Sequence, residues 1–106
     1  MQRGNLFTHA EPPATGERFD TLLSLRNLVV ERIVSASDTQ PTRYVQPQDE
    51  WVVLLQGTAE LTVAGEAVSL HAGDYVFIAA GTPHTVERTS AGALWLAVHL
   101  HPEAPR

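Results

Sequence analysis

Tyr44-Val-Gln-Pro-Gln-Asp-Glu-Trp-Val-Val-Leu-Leu-Gln-Gly57 is the stretch on which the reading of this chain turns. It opens with crowded polar side chains: Tyr44, Gln46, Gln48, Asp49 and Glu50. It then runs into Trp51-Val52-Val53-Leu54-Leu55, apolar on both faces, and stops at Gly57. A run apolar on both faces reads as a strand buried on both sides. Acid/base and metal-ligand side chains at the mouth of such a strand point to a pocket rather than a solvated loop.

Outward from that stretch, the punctuation is regular. Thr58 to Val63 alternates, with Ala59, Leu61 and Val63 on one side and Thr58, Glu60 and Thr62 on the other, the mark of a half-buried strand. Turns at Ala64-Gly65-Glu66, His71-Ala72-Gly73-Asp74, Ala80-Gly81-Thr82-Pro83 and Ser90-Ala91-Gly92 separate short strands at 67–70, 75–78, 84–88 and 93–101. Upstream, Leu28 to Ser35 is β-branched and reads as a strand, followed by a turn cluster from Ser37 to Pro41. Phe19 to Leu25 fits either a helical turn or an edge strand. Short strands with glycine-centred turns every 8–12 residues or so predict an all-β sandwich or barrel.

Composition narrows the function classes. The 106 residues predict one domain, since a chain of this size hides roughly 60–70% of its unfolded surface on folding. The expected boundaries are an irregular arm at 1–18, the domain at 19–102 and a tail at 103–106. There is no cysteine, which removes disulfides, thiolate metal sites and cysteine nucleophiles together. The Lys and Arg residues total 7, are scattered, and leave a formal net charge of −5. Without a basic stripe to neutralise phosphates, no nucleic-acid partner is expected. The longest apolar run, Leu94 to Leu100, falls short of the roughly 20 residues a membrane span needs, so no membrane partner is expected. The N-terminus lacks the apolar segment of a signal peptide, and the expected location is cytoplasmic.

Two segments resemble the motifs of the cupin superfamily. The first motif is a glycine, five residues, H-x-H, three or four residues, a glutamate, six residues and a glycine. Glu50 and Gly57 stand at that glutamate-to-glycine spacing; Tyr44 and Gln46 occupy the histidine positions, and Asp38 the first glycine. The second motif is a glycine, five residues, P-x-G, two residues, a histidine, three residues and an asparagine. Gly73, Gly81 and His84 match it, while Ala79 and Arg88 replace the proline and asparagine. The resemblance implies a jelly-roll, or double-stranded β-helix, barrel of two antiparallel sheets. Its first motif is degenerate.

In metal-binding cupins the motif histidines and glutamate hold a divalent ion, here iron, manganese, nickel or zinc. Carried over, Glu50 and His84 remain as sound ligands, and Gln46 offers an amide oxygen. In the implied fold the last strand lies antiparallel beside the one starting at Glu50. His99 then becomes the fourth expected ligand, provided the face it shares with Trp95 points inward. Tyr44 and Glu50 are the expected catalytic groups, Tyr44 meeting the substrate because a phenol with a free pKa of about 10 is a poor ligand. The expected function is a metal-dependent small-molecule site. The competing expectation is a non-catalytic binding or sensor module with a vestigial metal site, Glu50 being a polar residue at the strand mouth and His84 a satisfied barrel histidine. If Glu50, Val52 and Leu54 face inward, Trp51, Val53 and Leu55 face out and need a cover. The arm, through Leu6 and Phe7, is one such cover. A second subunit is the other, and the resemblance favours a homodimer.

Overall fold

A computed structural model of the chain describes residues 1–38 and 40–103. Thr39 of the turn cluster and residues 104–106 of the tail lie outside the described residues. The described chain is all-β: nine strands and no helix. They are β1 (Glu17–Leu25), β2 (Leu28–Ser35), β3 (Thr42–Tyr44), β4 (Asp49–Gln56), β5 (Thr58–Val63), β6 (Glu66–His71), β7 (Tyr75–Ile78), β8 (His84–Thr89) and β9 (Ala93–Leu100). Among the described residues, no helix is long and apolar enough to cross a membrane.

The strands form two antiparallel sheets. One runs β1-β2-β9-β4-β7, the other β3-β8-β5-β6. The core lies between them. Val52, Leu54, Trp95 and Ala97 come from the five-stranded sheet, and Ala59, Leu61 and Leu70 from the other. Leu54 is fully buried, and burying a leucine is worth about 1.5–3 kcal/mol. Alternation along β4 is strict where it matters: Glu50, Val52 and Leu54 are buried, while Trp51 is exposed.

The segment from Phe19, open between helical turn and strand, is the edge strand β1. Its register to β2 shifts between Thr21 and Leu23. That bulge inserts Leu22 and breaks the two-residue period. β3 is a three-residue edge strand between Pro41 and Pro47, and it pairs Tyr44 with His84. Proline is confined to such edges because it cannot donate to a ladder.

Gly57 closes the stretch for a steric reason. Its φ is +91°, and an added Cβ would lie 2.5 Å from Ser90 Oγ and 3.1 Å from Ala93 Cα. The turn after β4 therefore lies hard against the turn before β9, and only glycine fits.

The arm is held by two arginines. The Arg32 guanidinium donates to the carbonyls of Leu6, Thr8 and His9 and to Asp20 Oδ2. Arg18 donates to the carbonyls of His9 and Glu11. The far side of the same outer face stays uncovered, with Trp51, Tyr75 and Phe77 exposed and the Trp51 and Tyr75 rings 5.6 Å apart.

Candidate functional site

Four strands of one sheet and two of the other bring the site together. Glu50 begins β4, and the β4–β9 register sets it opposite His99. The β2–β9 register pairs Glu31 with Ala97, so Glu31 shares the inward face with His99. His84 begins β8 in the opposite sheet, with Tyr44 beside it on β3. Glu17, Glu31, Tyr44, Gln46, Glu50, His84 and His99 all line one interior cavity of about 80 Å³. At about 30 Å³ per water, that is room for two or three water-sized groups.

Glu50 stands between the two imidazoles. Its Oε1 is 3.7 Å from His84 Nε2 and its Oε2 is 3.7 Å from His99 Nε2. Both contacts are beyond hydrogen-bond length, so the carboxylate is near two rings without being bound to either. All three groups are buried. Tyr44 stacks on His84 with ring centroids 5.5 Å apart. Every residue expected to form the site lines the cavity.

The hydrogen bonds assign the protons. His84 Nδ1 lies 3.0 Å from the Thr82 carbonyl. A carbonyl only accepts, so Nδ1 carries hydrogen, and Nε2 is the ring nitrogen turned toward Glu50. His99 is the reverse. Its Nε2 lies 2.8 Å from Glu31 Oε1, so Nε2–H donates to that carboxylate, while Nδ1 faces the Gln48 amide nitrogen at 3.4 Å. Glu17 is fixed from behind: Trp95 Nε1–H donates to Ser35 Oγ at 3.1 Å, and the Ser35 hydroxyl donates to Glu17 Oε2 at 2.8 Å.

These surroundings shift the titrations. Burial pushes the Glu50 carboxyl above its ordinary range, against the pull of His99 and His84. Burial also raises Glu17, partly offset by the Ser35 hydrogen bond. The hydrogen bond to Glu31 raises His99, with burial opposing and Glu50 assisting. Tyr44 is raised by burial and then by Glu17, Glu50 and Glu31, so it is a neutral phenol. Several perturbed groups facing one cavity are the physical mark of a functional site.

Sequence reasoning passed over Glu17 and Glu31. One signal for Glu31 was present: a carboxylate in the middle of the β-branched run Val29-Val30-Glu31-Arg32-Ile33. Glu17 gave none, because only the pairing with Ser35 turns it inward. His71 and His9 are exposed, and His101 is half-buried.

The fold implies a divalent ion, and the donors can be tested against it. His84 Nε2 and Glu50 are uncommitted, and Gln46 Oε1 is a buried oxygen without a hydrogen-bond partner. His99, however, has its Nε2–H committed to Glu31, and the Tyr44 phenol is far from ionising. Among the described residues, no group of three or more histidine, aspartate or glutamate side chains is drawn together tightly enough to hold an ion. One carboxylate, one imidazole and one amide do not make the closed, mostly anionic or imidazole shell that retains a divalent ion. As arranged, these side chains do not fit a resident ion.

Residues 31–102 match the family model described as the cupin domain. A crystal structure of a candidate mannose-6-phosphate isomerase from Ralstonia eutropha JMP134 is similar at 33% identity. The match covers 96% of this chain and 100% of that one, with a TM-score of 0.89. A conserved protein of unknown function from Streptococcus pyogenes is similar at 25% identity over 96% of this chain and 89% of that one, with a TM-score of 0.81. An RmlC-like cupin from Shewanella frigidimarina NCIMB 400, at 17% identity over 96% of each chain and a TM-score of 0.76, shares the fold. No curated protein sequence matches the chain.

Proposed function

The chain belongs to the cupin domain family, and from that premise we propose that its barrel binds a small polar molecule and moves a proton on it. The observation that carries this reading is the Glu50 carboxylate, buried and held 3.7 Å from two imidazoles, one hydrogen-bonded through Nδ1 and the other through Nε2. His84 turns its uncommitted Nε2 toward Glu50, while Glu31 holds the His99 Nε2–H. Burial has raised the Glu50 pKa, the direction that suits a group exchanging a proton with a bound molecule. Glu50 takes or returns the proton, His99 supplies the opposite charge, and Tyr44 orients the bound molecule. Proton transfer at one carbon or oxygen of a small molecule belongs to isomerase and lyase chemistry.

A second reading is favoured by the unpartnered Gln46 oxygen: a divalent ion held by Gln46, Glu50, His84 and His99. It requires His99 to release Glu31. The outer rings Trp51, Tyr75 and Phe77 favour a homodimer, because exposed apolar clusters of this kind commonly mark contact surfaces.

One experiment tests both readings of the cavity. Protein purified without added metal is denatured, and the released fraction is analysed for elements and for small organic molecules; unfolding is followed in parallel against a metabolite panel. A molecule that raises Tm in the wild type, but not in Glu50→Ala, supports the proton-transfer site. Stoichiometric iron, manganese, nickel or zinc that His84→Ala loses supports the ion. Thermal stabilisation by the same molecules in wild type and Glu50→Ala alike refutes a site centred on Glu50.

A further inference from the structure

We propose that the cavity takes a small organic cation, a primary ammonium or similar amine, and rejects phosphorylated or carboxylated molecules. The proposal rests on the reading of the cavity as a small-molecule site and names its ligand class.

The lining carries three carboxylates, Glu17, Glu31 and Glu50, and no arginine or lysine. The chain has no lysine at all. The two arginines in the strands of the five-stranded sheet, Arg18 and Arg32, are spent on the arm and Asp20. The strong donors around the cavity are spent on the wall: Trp95 on Ser35, Ser35 on Glu17, His84 on Thr82 and His99 on Glu31. What remains facing inward is largely acceptors, namely the Glu50 oxygens, His84 Nε2 and the Gln46 amide oxygen. That last oxygen is buried without a partner, a desolvation cost that an incoming donor removes. Only the Tyr44 hydroxyl and the Gln46 amide nitrogen stand against this count.

Phe19, Tyr44 and Trp95 line the same cavity, and aromatic faces attract cations. Buried carboxylates in excess of cations are costly, and an arriving positive charge relieves them. A phosphate meets the opposite situation. Phosphate sites are built from arginine, lysine or clustered backbone N–H groups, and none of these side chains lines the cavity. This chain therefore parts from the sugar phosphate named for its Ralstonia neighbour.

The test follows the ring signals of His84 and His99 by NMR at constant ionic strength, while wild-type protein is titrated with methylammonium, glycerol or inorganic phosphate. The expected result is saturable shifts with methylammonium and none with phosphate. In Glu17→Gln, which removes one of the three charges and leaves an amide oxygen to accept from Ser35, methylammonium should bind roughly fivefold more weakly. Saturation by phosphate, or by glycerol without methylammonium, overturns the cation proposal and leaves a small-molecule site standing. Saturation by none of the three overturns the cation proposal and counts against the site reading with it.

Discussion

Replacing Glu31 by glutamine isolates the charge that raises the His99 pKa. The two side chains are only 18% and 8% exposed and meet at 2.8 Å, so solvent screening is slight. The amide oxygen of glutamine can still accept from Nε2–H, which leaves shape and hydrogen bonding intact. What changes is a charge-assisted bond of about 1.5–3 kcal/mol becoming a neutral one of about 0.5–1.5. The variant should lose about 1 kcal/mol at acidic pH, or about 4–8 °C in Tm. The pH dependence has a definite sign. The folded pKa of His99 is raised, so its stabilisation is complete below the unfolded value of about 6.5 and is lost as pH rises through the folded value. The penalty in Glu31→Gln should therefore be largest below about pH 6.5 and shrink above the folded pKa. Relief of the repulsion that Glu31 exerts on Glu50 and Glu17 shrinks it further. Urea unfolding on both sides of that window, with NMR titration of the His99 ring, measures both parts. A His99 pKa that does not fall, or a penalty that is the same at every pH, refutes the protonation assigned to this pair.

Two further predictions concern the scaffold. Gly57→Ala combines a positive-φ penalty of about 1–2 kcal/mol with a steric cost of about 1–3 from the contact with Ser90 and Ala93. Gly65→Ala, at φ +81° with open space around it, should show the first cost alone. Equal losses in the two variants by denaturant unfolding would disprove the close approach at Gly57. Arg32→Met removes the clasp on the arm and leaves Asp20 without its closest partner, for a loss of about 2–4 kcal/mol, tempered by the partial exposure of Asp20. Limited proteolysis should then cut within residues 1–13, and an arm as resistant as in the wild type contradicts the clasp.

The legible parts of the sequence were those with local periodicity. β2, β5 and β7 have the ends that the sequence predicts, because alternation and glycine turns mark them without reference to the rest of the chain. Glu50 and His84 were readable through motif spacing. His99 needed more: its face is set by the β4–β9 register, which only an implied fold supplies. β1 stayed ambiguous because the bulge at Leu22 brings leucines into a spacing that also suits a helix. β3 is too short for any period, and prolines flank it. The partner of Glu31 lies 68 residues away, and no local pattern reports such a contact. What the sequence concealed was therefore not residue chemistry but the long-range pairing that concentrates carboxylates in one place.

The cavity straddles the two sheets: Glu31, Glu50 and His99 belong to one, Tyr44 and His84 to the other. A molecule touching both sets acts as a rivet through the sandwich. Its grip is then sensitive to any breathing that spreads the layers, even when the loosened seam touches nothing on the molecule. Substitutions in remote edge strands such as β6 thus become a means of tuning occupancy, and an occupied barrel resists unfolding as a single unit rather than sheet by sheet.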